Sequence, residues 1–101
     1  MEVKTVIDGP EALVQVAGEI DASTAPTLGE ALEAAIDQDM RTVVVDAAGI
    51  TFIDSSGLSV LVAAHKRLKA GGGELVVASA SAPVRRLLGI SGLDRVLTVR
   101  D

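Results

Sequence analysis

Residues 42–47 read TVVVDA, a run of β-branched side chains in which apolar and polar positions do not alternate. A strand with one wet face alternates with period two. A run that stays apolar at consecutive positions reads instead as a strand buried on both faces, in the middle of a sheet. ELVVASA, residues 74–80, reads the same way. Segments of helical periodicity lie between such strands. Leu28, Leu32, Ala35 and Ile36 recur at helical spacing, and so do Leu58, Leu61, Val62, His65 and Leu68. Val84, Leu87 and Leu88 supply the apolar face of a third helix. Strands that alternate with helices of this length need crossover connections, which are right-handed and make a mostly parallel sheet.

The punctuation between these runs sets the order. VKTVI (3–7) and ALVQVA (12–17) flank Asp8-Gly9-Pro10-Glu11, a turn signal that predicts a hairpin. Gly18-Glu19-Ile20-Asp21 leaves the second strand. Ser23 or Thr24 can cap the first helix, with Pro26 in its first turn. Thr27 and Glu30 have capping-box spacing, so the start can slip by a few residues. This helix fades at Gln38–Met40. AGITFI, residues 48–53, reads as a loop leading to Asp54. Lys66, Arg67 and Lys69 lie off the apolar stripe of the second helix near its C-terminus, where positive charge suits the helix dipole. Gly71-Gly72-Gly73 ends that helix, Ser81 and Pro83 start the third, Ser91-Gly92 stops it, and VLTV (96–99) is a last strand. The expectation is an α/β fold in one domain, residues 1–101. Its order is β-β-α-β-α-β-α-β, with a mostly parallel sheet of about five strands.

Composition narrows the function classes. Hydrophobic residues make up 49% and aromatic residues 1%, so the core is aliphatic and Phe52 is the only aromatic side chain. The formal net charge is -5 and no basic stretch carries interleaved aromatics, which argues against a nucleic-acid binder. The chain has no cysteine, excluding disulfides and thiolate chemistry. No apolar run approaches the roughly 20 residues that span a bilayer. The opening MEVKTVIDGP lacks the apolar core of a signal peptide. These features read as a soluble cytoplasmic domain without direct membrane insertion.

FIDSSGLS, residues 52–59, is the stretch with chemistry to explain. It precedes a helix, so its serines sit where free backbone N–H groups favour negative charge. A serine there can simply cap the helix. Two adjacent serines are more than a cap requires. Gly57 either admits another chain closely or relaxes the first turn. A hydrolase nucleophile does not fit: the elbow G-x-S-x-G lacks its first glycine. The only histidine, His65, is about ten residues along the helix from Ser55, roughly 15 Å at the helical rise. The Gly71–Gly73 run follows a helix and precedes a strand, the reverse of a phosphate-binding loop. Asp21 and Asp54 each follow a strand and precede a helix, which brings both to the carboxyl edge of the sheet. They are either paired site carboxylates or solvated loop acids. A metal site needs more oxygen ligands than these.

Several blocks together resemble the STAS domain, and more closely the bacterial anti-sigma factor antagonists. They are GEID (18–21), the helix from about Thr24, VVVDAAGITFIDSSGL (43–58), GGGELVVAS (71–79) and PVRRLLGISGL (83–93). The resemblance implies a STAS-type fold and a protein that is no enzyme and needs no cofactor or metal. It implies a partner that is a serine kinase and anti-sigma factor with a histidine-kinase-like ATPase fold. The unphosphorylated antagonist captures that partner and frees a sigma factor, the kinase phosphorylates the antagonist, and a serine phosphatase reverses the mark. The acceptor position of the family maps to Ser55, with Ser56 a secondary acceptor in some relatives. The partner surface maps to Asp21, Asp54, Ser55, Ser56, Gly57 and Leu58. A rival within the same fold is the STAS regulatory subunit of a lipid-transport ABC complex, which binds that complex's ATPase. The intact DSSGL block leans toward the antagonist.

Overall fold

The computed structural model describes residues 1–101. Strands β1 (Glu2–Asp8) and β2 (Glu11–Ile20) lead into helix α1 (Ala25–Ile36). Then come β3 (Thr42–Ile53), α2 (Ser55–Ala70), β4 (Glu74–Ala78), α3 (Ala82–Ser91), a 3-10 turn (Leu93–Arg95) and β5 (Thr98–Arg100). The element order is the one expected. The five strands form one sheet in the sequential order β1-β2-β3-β4-β5. β1 and β2 are joined by a two-residue turn and pair antiparallel, while β2 to β5 pair parallel. A tight turn can only return the chain antiparallel, and parallel neighbours need the longer helical crossovers.

Alternation along the strands decides what the core contains. Val14 and Val16 of β2, Val43 and Val45 of β3, and Leu75 and Val77 of β4 join one apolar cluster. Leu28 and Leu32 of α1, Leu58, Leu61 and Leu68 of α2, and Val84 and Leu88 of α3 complete it. Each such aliphatic side chain contributes about 1.5–3 kcal/mol on full burial. The intervening Val44, Val76 and Ala78 form a small second cluster with Leu13 packed against it. All three valines of the β3 run are thus buried, as expected. The helices place their buried residues in the first cluster only, so Val44 is sheltered by its neighbours within the sheet rather than by a helix.

Several boundaries move. β2 continues to Ile20 and β4 stops at Ala78. The stretch 48–53, expected as a loop, is the second half of β3. The last strand starts at Thr98, because Leu93–Arg95 forms a 3-10 turn that turns Leu97 into the core. On α2, Ala64 is buried, whereas Val62 and His65 are only half-buried. Arg67 does more than balance the helix dipole. It bridges Glu33 and Asp37 across to α1, tying the two helices side by side.

Candidate functional site

β3 has to cover more residues than its partner to reach Asp54. Gln15 pairs with Asp46 and Ala17 with Gly49; Gly18 pairs with Ile50 and Glu19 with Phe52. Each step inserts one extra residue into β3, so the strand carries two bulges. The inward-facing series Val43, Val45, Ala47, Ile50, Ile53 therefore advances by two, two, three and three. Bulges increase local twist and re-aim the residues that follow. Gly49 sits at the first, where an added Cβ would lie 3.0 Å from the Ala17 Cβ and 3.1 Å from the Val16 carbonyl oxygen. The strands then end together, with Ile20 opposite Ile53 and the Asp54 N–H donating to the Ile20 carbonyl at 3.2 Å. Asp21 and Asp54 thus leave adjacent strands at the same edge, as expected.

The cap of α2 is Asp54, not a serine. Its backbone is extended (φ -120°, ψ -169°) and its carboxylate accepts from the Ser56 N–H at 2.9 Å. Its carbonyl accepts from the Gly57 and Leu58 N–H groups. An aspartate reaches these donors as well as a serine does and adds favourable charge at the positive end of the helix dipole. Ser55 and Ser56 then occupy the first two helical positions, and neither hydroxyl enters a hydrogen bond. Ser55 is exposed and Ser56 half-buried. Removing the cap in Asp54→Ala is expected to cost about 1 kcal/mol, within the 0.5–2 range for cap residues. Urea denaturation followed by far-ultraviolet circular dichroism measures it; an unchanged midpoint would count against Asp54 as the cap.

Asp21 is held by its own loop. Its Oδ1 accepts from the Ser23 hydroxyl at 2.7 Å, the Ser23 N–H at 2.9 Å and the Thr24 N–H at 3.1 Å. The Thr24 hydroxyl, expected as a helix cap, instead accepts from the Asp21 N–H and donates to the Glu19 carbonyl. The Ser23 hydroxyl, helped by the Ser23 and Thr24 N–H groups, lowers the Asp21 carboxyl below its ordinary 3.8. A depressed pKa means the charged form is favoured by folding, so its contribution is present above the unfolded value and disappears as pH falls through the folded one. Asp21→Asn should therefore be less stable than wild type at neutral pH. The difference should shrink as pH falls below about 3.8. Denaturation at pH 7 and at pH 3 checks this, and a gap that widens in acid would refute it. Each carboxylate thus serves its own turn, which makes loop-ordering acids a better description than a catalytic pair.

Gly57 corrects a further expectation. It is buried, and a Cβ there would come within 2.8 Å of Ile20 Cγ2 and Ile53 Cγ1. The close approach is to the domain's own core, not to another chain. Leu58 is 7% exposed and also core. These two residues support the Ser55–Ser56 turn from beneath. No cluster of three or more His, Asp and Glu side chains is present that could hold a metal ion. No helix is long and apolar enough to cross a membrane.

The STAS domain family matches residues 2–101. The chain belongs to the STAS-domain family. An anti-sigma-B factor antagonist of Listeria monocytogenes is 38% identical over 86 residues, covering 85% of this chain and 75% of that protein. A solved anti-sigma factor antagonist from Mycobacterium paratuberculosis superposes with a TM-score of 0.88 at 30% identity, covering 98% of this chain and 84% of that one. The phosphorylated form of SpoIIAA, a cell fate determinant of Bacillus, shares the fold at a TM-score of 0.76 and 20% identity, covering 97% and 90%.

Sequence reasoning missed the apolar surroundings of the STAS domain's serine turn. Phe52, Ile53, Pro83, Leu87 and Ile90 line a shallow pocket of about 230 Å³ with Arg86 at its side. A second groove of about 420 Å³ runs from Ser55 along Leu58 and Val62 to Leu93 and Lys66. One signal was available, since the chain's single aromatic residue stands two positions before Asp54.

Proposed function

We propose that this STAS domain, acting as one unit over residues 1–101, is an anti-sigma factor antagonist. In this reading it is a cytoplasmic, non-enzymatic binding protein. Its partner is an anti-sigma factor that is also a serine kinase with a histidine-kinase-like ATPase fold. The antagonist binds the kinase when unphosphorylated and so releases a sigma factor. Ser55 is the phosphate acceptor, Ser56 a secondary one, and a serine phosphatase resets the switch.

The observation that carries this reading is the free hydroxyl of Ser55. The capping duty belongs to Asp54, so Ser55 is left exposed and unbonded at the first position of α2. Further support comes from the antagonist names of the relatives and from the existence of a phosphorylated form of a protein with this fold. A phosphoserine adds about -1.5 to -2 charge at pH 7. At a helix N-terminus the free N–H groups and the dipole tolerate that charge, so the domain has no electrostatic reason to refold. A partner packed over the turn meets a bulky dianion where it had met a hydroxyl. Asp21, Asp54 and Ser56 frame the contact, while Gly57 and Leu58 hold the turn in place. The test is in vitro: wild type, Ser55→Ala and Ser56→Ala are incubated with the cognate anti-sigma factor and labelled ATP. Loss of most label in Ser55→Ala supports the assignment; full labelling of that variant removes it.

A further inference from the structure

We infer that the anti-sigma factor docks beyond the serine turn, seating an apolar anchor flanked by carboxylates on a shelf formed by Phe52 and α3. This inference rests on the antagonist reading and extends its interface. Ile90 is 77% exposed and Phe52 45% exposed, the largest exposures among the chain's large hydrophobic residues apart from Val96 at 51%. They line one pocket together with Leu87 and Pro83. Large apolar side chains gathered around a concavity mark an interaction surface more often than scattered ones do. The shelf lies next to the candidate switch in the chain and in space. Ile53 lines the shelf pocket and would touch a Cβ on Gly57, two residues past Ser55 in the first turn of α2. Leu93, three residues past Ile90, lines the groove that begins at Ser55.

Charge selects the occupant. Arg86 is the one charged residue lining the shelf and Lys66 the one charged residue lining the groove, and neither has an ion-pair partner. The chain as a whole carries a formal charge of -5, so two neighbouring pockets each lined by a cation and by no acid form a local exception. The carboxylates Asp21 and Asp54 are engaged within their own turns and line neither pocket. A complementary partner presents an apolar side chain to Phe52, Leu87 and Ile90 and places Asp or Glu over Arg86 and Lys66. A two-fold contact with a second copy of the chain is a poorer fit, since it would bring the same cations to both sides.

The test uses a photo-cross-linking amino acid placed in the full chain at position 59, 90 or, as a remote control, 34, expressed in the source cell. The protein joined at position 59 is identified, purified, and its affinity measured for wild type, Ile90→Gln, Phe52→Thr and Arg86→Glu. The expected result is the same protein cross-linked at 59 and 90 but not at 34, with both adducts lost in Ser55→Asp. Ile90→Gln should bind about tenfold more weakly, as buried interface anchors do. Arg86→Glu should bind about threefold to tenfold more weakly, with the deficit shrinking at high salt. An adduct at 59 alone, or full affinity in Ile90→Gln and Arg86→Glu, overturns the shelf and leaves the antagonist reading intact. An adduct at 90 that survives Ser55→Asp, or that joins a second copy of this chain, also overturns it. No anti-sigma factor at either position overturns both.

Discussion

On the antagonist reading proposed above, Ser55→Asp is expected to fold as wild type does and to lose its anti-sigma factor. The two halves of that expectation have separate causes. Ser55 is exposed, makes no side-chain hydrogen bond and occupies the first position of α2. Nothing in the core depends on its hydroxyl, and an acidic side chain near a helix N-terminus is stabilising by about 0.3–1 kcal/mol. The unfolding midpoint should therefore stay put or rise slightly. Binding is another matter. A partner that covers the turn must desolvate the new carboxylate, and a charge left buried and unpaired at an interface costs several kcal/mol. At about 1.4 kcal/mol per factor of ten, the affinity should fall by roughly 100-fold or more. Calorimetric titration with the purified anti-sigma factor reads the affinity directly, and circular dichroism supplies the stability without relying on Trp or Tyr, which the chain lacks. Undiminished binding would remove Ser55 from the control point. Lost binding accompanied by unfolding would leave the local switch without support.

The largest expected effect on stability comes from the glycine two residues on. In Gly57→Val the first Cβ atom alone would stand 2.8 Å from two isoleucine side chains, and Ile20 is fully buried. Overpacking of this kind costs about 1–3 kcal/mol, and valine's two further methyl groups put the variant at the upper end. The gain in helix propensity on replacing glycine, about 1 kcal/mol even for alanine, offsets only part of this. A loss of about 2–3 kcal/mol in a domain of this size lowers Tm by roughly 10 °C or more. Gly57→Ala should fall between wild type and Gly57→Val. Thermal unfolding of the three proteins checks the order, and a Gly57→Val protein as stable as wild type would mean that α2 does not pack on Ile20 and Ile53 as described. Whatever strain the variant retains is borne by the first turn of α2, the turn that carries Ser55.

Local chemistry alone determined a good deal about this protein. The apolar runs at 42–47 and 74–80, the three helical stripes and the Gly, Pro and Ser punctuation specify the element order and the largely parallel sheet. These signals are legible because a period of two or of 3.6 residues and the turn preferences of particular residues act over a few positions. The DSSGL turn at a helix start was legible for the same reason. What only the tertiary structure decided depends on neighbours far along the chain. The bulges turn residues 48–53 into strand by pairing them with β2, and an inward step of three residues erases the alternation by which a strand is recognised. Asp54 takes the cap from the serines through the dihedral angles at the end of β3. Gly57 is required by Ile20 and Ile53 beneath it, not by a property of its own helix. The shelf at Phe52 and Ile90 joins residues 38 positions apart in sequence, so no local pattern could announce it.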